Sequence, residues 1–251
     1  AEIRGALIMD PRVIISVGVR ERYEPYVRRL RRTVAEHWDG PTLFYVGEYP
    51  PGSPKHEDVN YAFKAYAIRE AVRRGYTRYL YSDACVVARA PVAPLFEHLR
   101  EVGVILIGDS HKVRLWTSDA VLDFAGLRRE DIPPDRDSAA GGFVGIDLGH
   151  PLGREVHERW HEAVDRNLPT VLWANGPVGN RASSCSHHTG EFISADPTVQ
   201  GSMGDEAVLG ALAWKLGIPV QPGRNPWCSQ YWDGIFQSTG YDGGEHGRLG
   251  D

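Results

Sequence analysis

The stretch RRGYTRYLYSDACVVARAP, residues 73–91, decides how this chain reads. Gly75 stops a helical pattern, and the apolar run Tyr79-Leu80-Tyr81 then drives into a polar pair, Ser82-Asp83. A short run of this kind, bounded by turn residues, predicts a buried strand. Such a strand delivers its last carboxylate beyond the edge of the sheet. The apolar return, Ala84-Cys85-Val86-Val87, asks why the chain does not simply leave into solvent.

Working outward, strand and helix patterns alternate. Upstream, Asn60 is a candidate helix cap, and Tyr61, Ala65, Ile68 and Val72 recur at helical spacing. Val13 to Val17 reads as a strand ended by Gly18, a helix follows from Pro25 to about Trp38, and Thr42 to Val46 reads as the next strand. Downstream, Pro94 to Arg100 predicts a short helix and Gly103 to Gly108 a strand. Gly142 to Asp147 predicts another strand, after a small-residue turn at Gly141-Gly142. A helix with Val156, Trp160, Ala163 and Val164 on one face comes next, and a last one runs from Asp205 to Leu216. Residues 173–204 are polar and rich in Gly and Ser, which predicts a long loop that orders over a site when ligand binds. Alternating strands and helices imply an α/β fold with a central, mainly parallel sheet. Such sheets bind ligands beyond the carboxyl ends of their strands, where Asp83 would stand.

Composition narrows the function. A net charge of −5 in 251 residues does not favour a nucleic-acid partner. Three cysteines form no disulfide framework and suit a reducing compartment, so a cytoplasmic location is expected. No apolar run approaches the roughly 18 residues of a membrane span. Seven Trp and eleven Tyr suit flat or sugar-like ligands.

The order of these segments resembles the GT-A nucleotide-sugar glycosyltransferases, loosely the retaining family that includes the blood-group transferases. The stretch NYAFKAYAIREAVRRGYTRYLYSDACVV looks like their helix and strand ending in Asp-x-Asp, DSAAGGFVGIDLGHPLGREVHERWHEAVDR like the donor-sugar strand and its helix, and GSMGDEAVLGALAWKLGIPV like an acidic pair opening a helix. The likeness covers roughly residues 12 to 220. It implies one glycosyltransferase domain over 1–251, with a nucleotide-binding half near 12–110, an acceptor and catalytic half near 111–220, and a tail at 221–251. It implies a nucleotide-diphosphate sugar as donor and a saccharide or other hydroxyl compound as acceptor. Donor-binding candidates are Val17, Gly18, Val19, Tyr23, Lys64, Ser82, Asp83, Gly141 and Gly142. Catalytic candidates are Asp205 and Glu206, although Asp205 is equally placed to be only a helix cap. The implied cofactor is Mn²⁺ or Mg²⁺ on Asp83, with His187 or His188 as further ligands. One position departs from the pattern: Cys85 stands where the second Asp belongs, and a thiol suits softer ions. Cys85 therefore reads as packing, and a metal-free site stays open. A nucleotidyltransferase and an inactive sugar-binding module are the competing readings. The first is disfavoured because SVGVRERYEP has a single glycine where a phosphate loop needs several.

Overall fold

The computed structural model describes residues 10–173, 192–221, 230–231 and 234–239. Its centre is a six-stranded sheet. In spatial order the strands are β2 (Thr42–Val46), β1 (Arg12–Gly18), β3 (Arg78–Ser82), β6 (Asp137–Asp147), β5 (Val104–Lys112) and β9 (Val220–Gln221). Five run one way and β6 runs against its neighbours β3 and β5.

The strand side chains alternate between two apolar layers, as period-two geometry requires. Val13, Ile15, Tyr79, Tyr81, Leu106 and Val144 face a layer that contains α2 (Ala62–Arg73), α4 (Asp119–Ala125), α5 (Pro151–Asp165) and α6 (Asp205–Lys215). Ile14, Leu80, Ile105, Ile107 and Phe143 face the opposite layer, built from α1 (Glu24–His37) and α3 (Ala93–Val102). The expected α/β fold with a mainly parallel sheet is what the chain forms.

The apolar return after Asp83 becomes a strand. β4 (Val86–Ala88) pairs with β11 (Phe236–Ser238), which also pairs with β10 (Gln230–Tyr231). The tail closes on the loop itself, because Thr239 donates from both its backbone N–H (2.9 Å) and its hydroxyl (2.7 Å) to the Cys85 carbonyl.

Three local expectations are corrected. The cap of α2 is Tyr61, not Asn60, whose amide instead donates to the His56 carbonyl and accepts from the Val171 N–H. β6 starts at Asp137, so Gly141-Gly142 lie within a strand rather than in a turn. Part of 173–204 is ordered: β7 (Val171–Trp173) pairs antiparallel with β8 (Gly201–Met203), which brings the two ends of the intervening segment together. Residues 174–191 lie outside the described residues, and the expected ordering of this loop over a site lies there with them.

Candidate active site

The carboxyl ends of β1, β3 and β5 and the amino end of α6 meet on one side of the sheet. Between the end of β1 and Asp83 opens a cavity of about 270 Å³, slightly below the usual range for small-ligand sites. Val17, Val19, Tyr23 and Asp83, four of the donor-binding candidates, line it. Arg20, Arg22, His56, Tyr61 and Phe63 also line it, and none of them was a site candidate from the sequence. Arg20 pairs with Glu57 at 2.7 Å, and the Arg22 guanidinium lies over the Tyr23 ring, 4.5 Å from its centre.

Two glycines have reasons other than ligand approach. A Cβ on Gly18 would collide with Val27 of α1, and one on Gly141 would collide with the Asp205 carboxylate. Gly141 is therefore small to admit a side chain of its own protein. Gly142 contributes its carbonyl, which accepts from the Asp83 N–H at 2.8 Å and fixes where β3 releases the chain. Ser82 is fully buried, and its hydroxyl donates to the Asp83 carbonyl at 3.3 Å.

Lys64 is the hub. One of the donor-binding candidates, it is 2 % exposed in the fold. Its ammonium donates to the Gly141 carbonyl and to Asp205 Oδ2, both at 2.8 Å, and stands 3.4 Å from Asp83 Oδ1. Burial works against its charge, but Asp205 and then Asp83 outweigh it and hold the lysine firmly protonated. Asp83 is pushed up from the ordinary carboxylate range by burial, against the pull of Lys64. Asp205 is not the helix cap. That position is Gly204 (φ 59°, ψ −131°), and Asp205 is the first residue of α6, bound to Lys64.

Glu206, one residue on, belongs to a second cluster. His111 Nδ1 lies 3.1 Å from Asp109 Oδ1 and 3.2 Å from Glu206 Oε2. β5 shifts register against β6 on either side of Gly108, and bulges of this kind re-aim side chains toward sites. The hydrogen bonds to Asp109 and Glu206 raise His111 to about 10. Burial raises Glu206 to about 7, although the His111 hydrogen bond pulls the other way. The sequence reading ended this strand at Gly108 and so missed Asp109 and His111. An apolar run that stops at a glycine gives no sign that the strand goes on through four polar residues.

The donors at Asp83 do not form a two-carboxylate metal site. Cys85 is 8 % exposed, and its Sγ lies 3.8 Å from the Ser238 hydroxyl, so it packs as its chemistry suggested. An ammonium already sits beside Asp83. Among the described residues, the group with three ligand atoms close enough for a metal ion is Asp109, His111 and Glu206, all within 4.8 Å of one another. His187 and His188 lie outside the described residues. Among the described residues no helix is long and apolar enough to cross a membrane.

No family model and no curated protein matches the chain. Solved structures do. A glycosyltransferase involved in glycosylation of the major capsid of PBCV-1 matches with 11 % identity and a TM-score of 0.37, over 61 % of this chain and 67 % of that one. The bifunctional glycosyltransferase WbbM matches with 13 % identity and a TM-score of 0.39 over 64 % of this chain, which spans 36 % of its length. Mouse xyloside xylosyltransferase 1 matches with 11 % identity and a TM-score of 0.39, over 84 % of this chain and 83 % of that one. At these scores the likeness carries no argument about chemistry, which rests on the residues themselves.

Proposed function

We propose that this chain is a glycosyltransferase that moves a sugar, of the hexose class, from a nucleotide-diphosphate donor to a saccharide or other hydroxyl acceptor. The observation that carries the reading is a pair of clusters that meet at the start of α6. One runs from a cavity walled by aromatic rings and two guanidiniums through Asp83 and Lys64 to Asp205. The other holds Glu206, the next residue of α6, whose carboxyl burial raises to about 7.

Each part suits a step. Tyr23, His56 and Phe63 offer rings and edges to a nucleobase, and Arg20 and Arg22 offer positive charge to a diphosphate. Asp83 lines that cavity, and a buried ammonium fixes it beside the buried Asp205. Glu206 takes the proton of the acceptor hydroxyl. The acceptor oxygen bonds to the anomeric carbon, the bond from that carbon to the diphosphate oxygen breaks, and the nucleoside diphosphate leaves with the electron pair. Residues 12–110 form the nucleotide-binding half and 111–220 the acceptor half.

A second reading is favoured by the close ligand set of Asp109, His111 and Glu206. Two carboxylates and an imidazole would hold Mn²⁺ more readily than Mg²⁺, which prefers oxygen alone. An ion there would supply positive charge to the reaction, and Glu206 would then be a ligand and not the base.

Release of nucleoside diphosphate is the test, measured over a panel of nucleotide sugars and hydroxyl acceptors with Mn²⁺ or with EDTA. Turnover that survives EDTA and rises through pH 7 supports Glu206 as base. Turnover that needs Mn²⁺ supports the metal reading. Consumption of no donor under either condition overturns both.

A further inference from the structure

We infer that Tyr61 is a positioning residue: a strained backbone holds its ring against the Lys64 ammonium and the Gly204 turn, linking the cavity to α6. The inference rests on the donor-site reading of the cavity for its kinetic arm only.

Tyr61 has φ 57° and ψ 3°, in the left-handed region. Among the described residues only Asn167 shares a positive φ without being glycine. Asparagine tolerates that region, whereas a bulky aromatic residue is a true outlier in it. Glycine would adopt it without strain, so the ring has to compensate.

The surrounding loop fixes the conformation. The Tyr61 N–H donates to His56 Nδ1 at 3.2 Å, and its carbonyl accepts from the Lys64 N–H at 3.0 Å. The ring stands edge-on to His56, centres 4.9 Å apart at 73°. Held so, it touches three things. It lines the cavity. Its centre lies 4.9 Å from Lys64 Nζ, within cation–π range. Its edge also fills the space where Gly204 would carry a side chain, a Cβ there falling 2.9 Å from Tyr61 Cδ2. Gly204 is the cap from which Asp205 and Glu206 follow.

Tyr61→Asn keeps the left-handed backbone and removes the ring, Tyr61→Gly does the same without a side chain, and Tyr61→Phe keeps the ring. The first readout needs no ligand: acetic anhydride labelling of Lys64, located by mass spectrometry. Lys64 should stay unreactive in the wild type and in Tyr61→Phe, and should become at least about tenfold more reactive in Tyr61→Asn and Tyr61→Gly, as local access opens. The second is turnover. Tyr61→Asn should lower kcat by about tenfold or more and change KM for the donor less, because the interaction acts through Lys64 and α6. Unchanged Lys64 labelling in both ring-less variants overturns the inference whatever the cavity binds. So does increased labelling with unchanged kcat, or a Tyr61→Phe variant that behaves like Tyr61→Asn. If the wild type consumes no donor, the donor-site reading fails and the labelling arm alone decides the positioning role.

Discussion

Asp83 and Cys85 stand two residues apart, yet the fold gives them opposite surroundings. Asp83 lines the cavity beside an ammonium, and Cys85 packs beneath the returning tail. Asp83→Asn keeps the shape and removes the charge, so transfer should slow by on the order of 10²-fold, as for loss of one electrostatic stabiliser. Cys85→Ala should leave the rate within about twofold, its cost falling on stability as for a small buried group, about 1 kcal/mol. Steady-state rates and urea midpoints of the two variants check this, and a rate loss in Cys85→Ala alone would reverse the assignment. Lys64→Met fits the same space but leaves Asp83 and Asp205 facing each other without a counter-charge. Removing one partner of a buried ionic group costs about 3–5 kcal/mol. Equilibrium unfolding should show that loss, and Lys64→Arg should not restore it, because Gly141 and Asp205 accept from a single compact nitrogen.

At the scale of the element, α5 carries a pH dependence away from the cavity. His157 Nδ1 meets the Tyr79 hydroxyl at 2.9 Å, and His161 Nδ1 accepts from Arg69 Nε at 2.9 Å. The two imidazoles lie with centres 4.1 Å apart, tilted by 36°. Burial lowers His157 to about 4 and His161 to about 2, with the Arg69 charge adding to it in both. Both folded values lie below the unfolded one, about 6.5, so the unfolded state binds protons first as pH falls. The stability they contribute is complete above pH 6.5 and is lost as pH falls through about 4, by roughly 3 kcal/mol for His157 alone. Urea midpoints between pH 7.5 and 4.5 should follow this slope, and His157→Gln should flatten it. Glu206 acts in the opposite sense: its raised value makes its contribution greatest below the unfolded carboxylate range, and that contribution is lost as pH rises through about 7.

For the whole molecule, the described tail strand β11 is part of the core. Phe236 is fully buried, 5.1 Å from the Phe143 ring, and β11 supplies the pairing that β4 needs. Removing residues 222–251 should destabilise the chain by at least the 3–5 kcal/mol of a buried Phe truncation and free the loop after Asp83. A nucleoside diphosphate at about 100 times its dissociation constant should stabilise the intact chain by about 2.7 kcal/mol. Thermal unfolding with and without ligand, on the full and shortened chains, measures both effects. A shortened chain of full stability would show that the tail is an appendage.

The sequence by itself determined the layered α/β fold and the place of Asp83 in it. Period-two and period-3.6 patterns are local, and the apolar runs Val13–Val17 and Tyr79–Tyr81 admit little else once a sheet must be covered on both faces. It also offered Lys64 and the acidic pair as candidates, since each adjoins a legible helix or strand. Only the tertiary structure decided their pairing: Lys64 and Asp205 lie 141 positions apart, and no local pattern measures that distance. The same holds for Asp109, His111 and Glu206, joined by a strand that continues past its apolar stretch. It holds for Tyr61, whose left-handed backbone runs against local preference and is held by His56 and Lys64. Burial fixed the charges last, because the cost of removing a carboxylate or imidazole from water depends on everything folded around it.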